Sequence, residues 1–123
     1  MLTEKQFSGI KAWVYRNARE IDLNVWKFYF EKGRKEDVVS ALSYYQNEDG
    51  GFGNALEPDN WNPDSTPYTT LYAINLLREI GMTDTAHPLY QGIFKYLYSE
   101  KDLTDYGWRF CVPGNDSCPR APW

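Results

Sequence analysis

The chain has 123 residues, 42% of them hydrophobic and 24% charged, which is enough for one domain with a single core and too few for two ordinary ones. Its formal net charge of −4 argues against the basic face that nucleic-acid binders present to phosphates, and no apolar run approaches the roughly 20 residues of a membrane span. Neither nucleic acid nor a membrane span is therefore expected, and the start MLTEKQFSGIKAW lacks the basic-then-apolar pattern of a secretion signal, which makes the cytoplasm the expected compartment.

Thr3-Glu4-Lys5-Gln6 has the form of a capping box, which predicts a helix over 4–18 with Phe7, Ile10, Trp13 and Val14 at helical spacing. Asp22 suits the start of a second helix whose Leu23, Trp26 and Phe30 share a face, and Gly33 stands where a left-handed residue would end it. A third helix over 35–46 carries Val38, Leu42 and Tyr45 on one stripe and stops at the glycine-rich stretch QNEDGGFGN. The fourth opens with Ser65-Thr66 before Pro67 and runs through Leu71, Ala73, Ile74, Leu76, Leu77 and Ile80 to Gly81. It is apolar on nearly every side, as an inner helix buried on several faces would be. A fifth begins near Pro88 and lines up Leu89, Ile93 and Leu97. No segment alternates with period two, so the expected fold is all-α, in one domain of about five helices.

Phe, Trp and Tyr make up 17% of the chain. Such a content builds either a large aromatic core or a cavity lined with rings for an apolar, isoprenoid or sugar ligand. The ends of the third and fifth helices are alike: each runs from a tyrosine-rich turn through an acidic loop to a glycine-aromatic pair, Gly51-Phe52 and Gly107-Trp108. That pattern suits a repeated helical hairpin, in which the glycine turns the chain and the ring folds back to plug the hairpin end.

The segment QNEDGGFG resembles the repeat of α/α-toroid proteins, the squalene and hopene cyclases and the catalytic subunits of protein prenyltransferases. The longer stretches ALSYYQNEDGGFGNALEPDNWNPDSTPYTTLYAINLLREIG and WRFCVPGNDSCPRAPW look like a little-characterised bacterial group with such repeats, and the resemblance spans residues 20–123. It implies helical hairpins arranged in a ring, with 67–80 on the inner wall. Five helices are too few to close a ring, so residues 1–123 read as a partial, N-terminal portion of a toroid whose open edges would be covered by self-association or by a missing C-terminal portion. The Asp-x-Asp-Asp motif with which such cyclases protonate their substrates does not occur, and His87, the only histidine, does not recreate a prenyltransferase zinc site. Neither activity carries over, and no cofactor or metal is expected.

The polar candidates lie in NEDGGFGNALEPDNWNPDSTP. Glu57 and Asp59, after the glycine turn and ahead of a helix, are placed to act as acid and base; Asp49, Trp61, Asp64, Tyr68 and Trp108 are placed to contact a ligand. Asp and Asn also cap turns, Pro58 and Pro63 stiffen the loop, and Ser65 or Thr66 can cap the helix that follows, so each position has a structural reading beside the chemical one. Cys111 and Cys118 match no common zinc spacing, and a disulfide between them is disfavoured in the cytoplasm. Three functional classes follow: a small-ligand toroid related to terpenoid cyclases and prenyltransferases, a carbohydrate-active α/α-barrel protein with Trp61, Tyr68, Trp108 and Trp123 against sugar rings, and a noncatalytic scaffold.

Overall fold

The computed structural model describes residues 1–122, so the sugar-stacking role considered for Trp123 lies outside the described residues. They form five α-helices, one pair of two-residue strands and a short 3-10 helix, a mostly helical chain as the sequence predicts. Among the described residues no helix is long and apolar enough to cross a membrane. The chain divides into two compact units, 1–42 and from Ser43 onward.

The first unit contains α1 (Glu4–Asn17), α2 (Glu20–Phe30) and most of α3 (Lys35–Ser43). The capping box forms as predicted: the Thr3 hydroxyl accepts from the Gln6 amide at 3.2 Å, and the Gln6 side chain accepts from the Thr3 amide at 2.8 Å. Helix α2 starts earlier than Asp22, after an extended Arg19, and Asp22 instead accepts from the Arg19 guanidinium at 2.7 Å. Nor does Gly33 supply the left-handed stop. Lys32 does, at φ 57°, and Gly33 is required for a different reason: a methyl group there would sit 2.8 Å from the Lys27 backbone carbonyl carbon.

No residue of α1 is fully buried, and the helix is held by rings. Phe7 stacks on Trp26 with centroids 5.5 Å apart and meets Phe30 edge-on at 6.0 Å, while Trp26 and Phe30 lie 4.5 Å apart. Glu31, directly after α2, ties the same elements through its carboxylate, which accepts from the Tyr15 hydroxyl at 2.5 Å and the Trp26 indole at 2.7 Å and pairs with Lys11 at 3.2 Å. The Tyr15 hydrogen bond, above all, holds the Glu31 carboxyl below its ordinary range.

The second unit holds α4 (Pro67–Glu79), α5 (Pro88–Tyr98), the antiparallel strands β1 (Leu103–Thr104) and β2 (Gly107–Trp108), and a 3-10 helix at Pro113–Ser117. Helix α3 ends short of the predicted 35–46 because the chain turns at once into the glycine loop, where the Gly53 amide donates back to the Tyr45 carbonyl at 3.1 Å. Phe52, fully buried, sits between two neighbours: its amide donates to the Thr70 hydroxyl at 3.0 Å and its carbonyl accepts from the Thr66 amide at 3.0 Å. The loop is thereby fixed to the first turn of α4, where the Thr66 hydroxyl caps the Thr69 amide. Leu56, Ala73, Leu77, Ile93 and Tyr96 are among the residues that share the core of this unit. Helix α4 is not buried all round as its apolar sequence suggests, since Leu71 is 52% exposed and Tyr72 also faces outward.

The two glycine-aromatic pairs differ. Phe52 plugs its turn, whereas Trp108 is 42% exposed and lines a groove. Gly50, at φ 91°, is the residue that turns the first loop, and a methyl group there would lie 2.0 Å from the Gly92 carbonyl oxygen. Gly107 has φ 114° but open space around it. Gly107→Ala should therefore cost roughly 1–2 kcal/mol through backbone conformation alone, and Gly50→Ala at least twice as much, since the neighbouring helix must also move. Urea denaturation of the two variants checks the order.

Candidate functional site

The site forms where the loop before α4 meets the C-terminal segment. The Ala121 amide donates to the Asp59 carbonyl at 2.8 Å and the Trp61 amide to the Pro119 carbonyl at 3.0 Å, so residues 59–61 and 119–121 run together as an isolated antiparallel bridge. This pairing brings Arg120 and Ala121 beside Glu57 and Asp59. A cavity of about 110 Å3 with a mixed lining results, termed the polar cavity for its two carboxyl groups, its wall including Glu57, Asp59, Tyr68, Asn115 and Arg120, with Phe110 and Cys111 at its side.

Glu57 is half-buried, and loss of water around it, reinforced by the nearby Asp59 charge, raises its carboxyl above the ordinary range. The neighbouring Glu57 charge in turn raises the Tyr68 hydroxyl. Arg120 lies in the wall but is held at 2.7 Å by Asp116, so its charge is already matched.

A second, apolar cavity of about 310 Å3 adjoins the first, lined by the side of α4 bearing Leu71 and Ile74 together with Leu97, Trp108 and Arg109. Tyr68 and Phe110 line both cavities, their rings edge-to-face with centroids 4.6 Å apart. Two buried polar pairs fix the segments that carry these walls. The Tyr96 hydroxyl donates to the buried Asp102 at 2.7 Å, and the Asp102 carbonyl accepts from the Arg109 amide at 2.9 Å, which holds the hairpin bearing Trp108 and Phe110. Burial, with the Asp102 carboxylate second, pushes the Tyr96 hydroxyl far up. Asn62 donates to Asn115 at 2.7 Å and so ties the 3-10 helix to the loop before α4.

Of the residues singled out from the sequence, Glu57, Asp59 and Tyr68 come together in the polar cavity, and Tyr68 and Trp108 in the apolar one. Asp49, Trp61 and Asp64 line neither. One Asp49 oxygen accepts from the Gly51 amide at 3.0 Å and the Ser65 hydroxyl at 2.6 Å, an anchor for the glycine loop. The Trp61 indole donates to the Pro58 carbonyl at 2.9 Å with its ring exposed, and the Asp64 amide donates to the Asn62 side chain at 3.0 Å. The sequence reading missed Phe110, Asn115 and Arg120, whose approach depends on the return of the C-terminal segment. Their local signal is the turn-forming Pro113-Gly114-Asn115-Asp116 run. Cys111 and Cys118 are both free thiols, and among the described residues no group of three or more His, Cys, Asp or Glu side chains gathers to hold a metal.

A raised carboxyl pKa means that the folded chain holds the Glu57 proton more tightly than the unfolded chain does. Its contribution to stability is present below the ordinary carboxylate pKa and is lost as pH rises through the raised value. Glu57→Gln should therefore gain in melting temperature relative to wild type as pH rises from about 4 to about 7. A difference that stays flat across that window, measured by thermal unfolding at each pH, would contradict the assignment.

Compared with known proteins, the chain matches no protein-family model, no curated protein and no solved structure.

Proposed function

We propose that the chain is a portion of an α/α toroid that binds a small, largely apolar ligand at a rim with one acidic and one aromatic compartment. The fold reading rests on the mostly helical chain and on the QNEDGGFG loop, which joins α3 to the segment leading into α4. The ligand reading is carried by one observation: the apolar cavity and the Glu57–Asp59 cavity share the wall formed by Tyr68 and Phe110. A ligand lying across that wall places its body against Leu71, Ile74, Leu97 and Trp108 and its end beside two carboxyl groups. Apolar surface supplies the affinity and the few polar groups supply orientation, the usual division in small-molecule sites. The raised carboxyl of Glu57 beside Asp59 also gives the rim the pairing that acid–base chemistry uses.

The test is a titration with geraniol, an uncharged isoprenoid alcohol, followed by heteronuclear NMR. Shifts should concentrate at Tyr68, Leu71, Ile74, Leu97 and Trp108, and Leu71→Asp, a change at an exposed position, should abolish them with the fold intact. Shifts scattered over both units, or unaffected by Leu71→Asp, would return the chain to the scaffold reading.

A further inference from the structure

Asn115 is 4% exposed, yet its side chain is only half used. The orientation of its amide follows from a chain of donors and acceptors. The Asp64 backbone N–H donates to Asn62 Oδ1 at 3.0 Å, and a backbone N–H can only donate. Asn62 therefore presents Nδ2 to Asn115, and the 2.7 Å contact between them is a donation into Asn115 Oδ1. The Asn115 Nδ2 group is left over. It has no hydrogen-bond partner among the described residues, and no sealed polar side-chain atom there lacks one, so this nitrogen keeps some exposure, on a residue that lines the polar cavity.

The cavity thus combines carboxyl acceptors on Glu57 and Asp59 with a buried, fixed donor on Asn115. A hydroxyl group is the functional group that satisfies both, since it donates and accepts at once. An ammonium group has no acceptor for Asn115, and a carboxylate head would face the Glu57 and Asp59 carboxyl groups while the one guanidinium in the wall, Arg120, is paired with Asp116. The volume of about 110 Å3 has room for several water-sized groups, so more than one hydroxyl fits. Beyond the Tyr68–Phe110 wall lies the apolar cavity for a tail.

Resting on the ligand reading above, we propose that the site recognises an uncharged polyhydroxylated head group on an apolar tail, in the manner of an alkyl or aryl glycoside, with Asn115 as the residue that selects the head. Asn115→Asp is the discriminating variant: it keeps the acceptor for Asn62, removes the donor and adds a negative charge. Calorimetric titration with n-octyl β-D-glucoside below its micelle concentration, and with n-octylammonium chloride, separates head from tail. Wild type should bind the glucoside more tightly. Asn115→Asp should weaken glucoside binding on the order of tenfold and strengthen binding of the ammonium compound. Tighter binding of octylammonium to wild type, or glucoside affinity unchanged in Asn115→Asp, would overturn the head-group assignment while leaving the tail site standing. If neither compound binds wild type, the ligand reading falls and this assignment with it.

Discussion

The second unit is organised around the close approach of a glycine loop to a helix. Gln46 Nε2 donates to the Gly50 carbonyl at 2.9 Å and to the Leu89 carbonyl at 3.0 Å, so one side-chain amide closes its own loop and grips α5. That geometry exists only because both surfaces lack a side chain. A methyl group on Gly92 would lie 2.3 Å from Gln46 Nε2, and one on Gly50 would meet the Gly92 backbone. With the loop so placed, Gly51 and Gly53 can pass equally close to Ser65 and to the Asp64 carbonyl, and Phe52 drops into the core beneath α4. The glycines act here through proximity more than through unusual dihedral angles, since only Gly50 of the group has positive φ.

The rim inherits its geometry from that packing. Asp49 and Asn47 spend their side chains on Ser65 and Pro63, which sets the path of the chain just before Thr66 caps α4. Ahead of that cap, residues 59–61 pair with 119–121, and the carboxyl groups of Glu57 and Asp59 share a cavity with the returning C-terminal segment. Partial desolvation is the leading cause of the raised Glu57 carboxyl, so its chemistry depends on residues distant in sequence.

Elements with strong local signals were legible in the sequence. The capping box at Thr3–Gln6, the Thr66-Pro67 opening of α4 and the Pro88 opening of α5 are each set by chemistry within one helical turn. Less legible was anything decided by a distant neighbour. Gly33 reads as a helix stop in sequence, but the stop is Lys32 and the glycine serves a close contact with α2. Asp49 reads as a ligand contact because it is acidic and beside a turn, whereas the glycine loop consumes it as an anchor. Glu57 and Asp59 were legible as a pair because they follow one turn, but Trp61, which the sequence places at the same rim, gives its indole to the Pro58 carbonyl instead, and Asn115 was not legible, because nothing local reveals that Asn62 would bind its oxygen.

If the contact between Gln46 and Gly92 is the governing constraint, a double-mutant cycle at these two positions reads it out directly. In the wild-type background, Gly92→Ala should destabilise the fold by roughly 2 kcal/mol or more, because the new methyl group displaces the Gln46 amide. In a Gln46→Ala background the obstacle is gone, and the same change should be neutral or stabilising by about 0.5–1 kcal/mol, as alanine is intrinsically better than glycine inside a helix. Urea denaturation of the four proteins measures both values. Equal cost of Gly92→Ala in the two backgrounds would contradict the account, because it would place the constraint somewhere other than the Gln46 side chain.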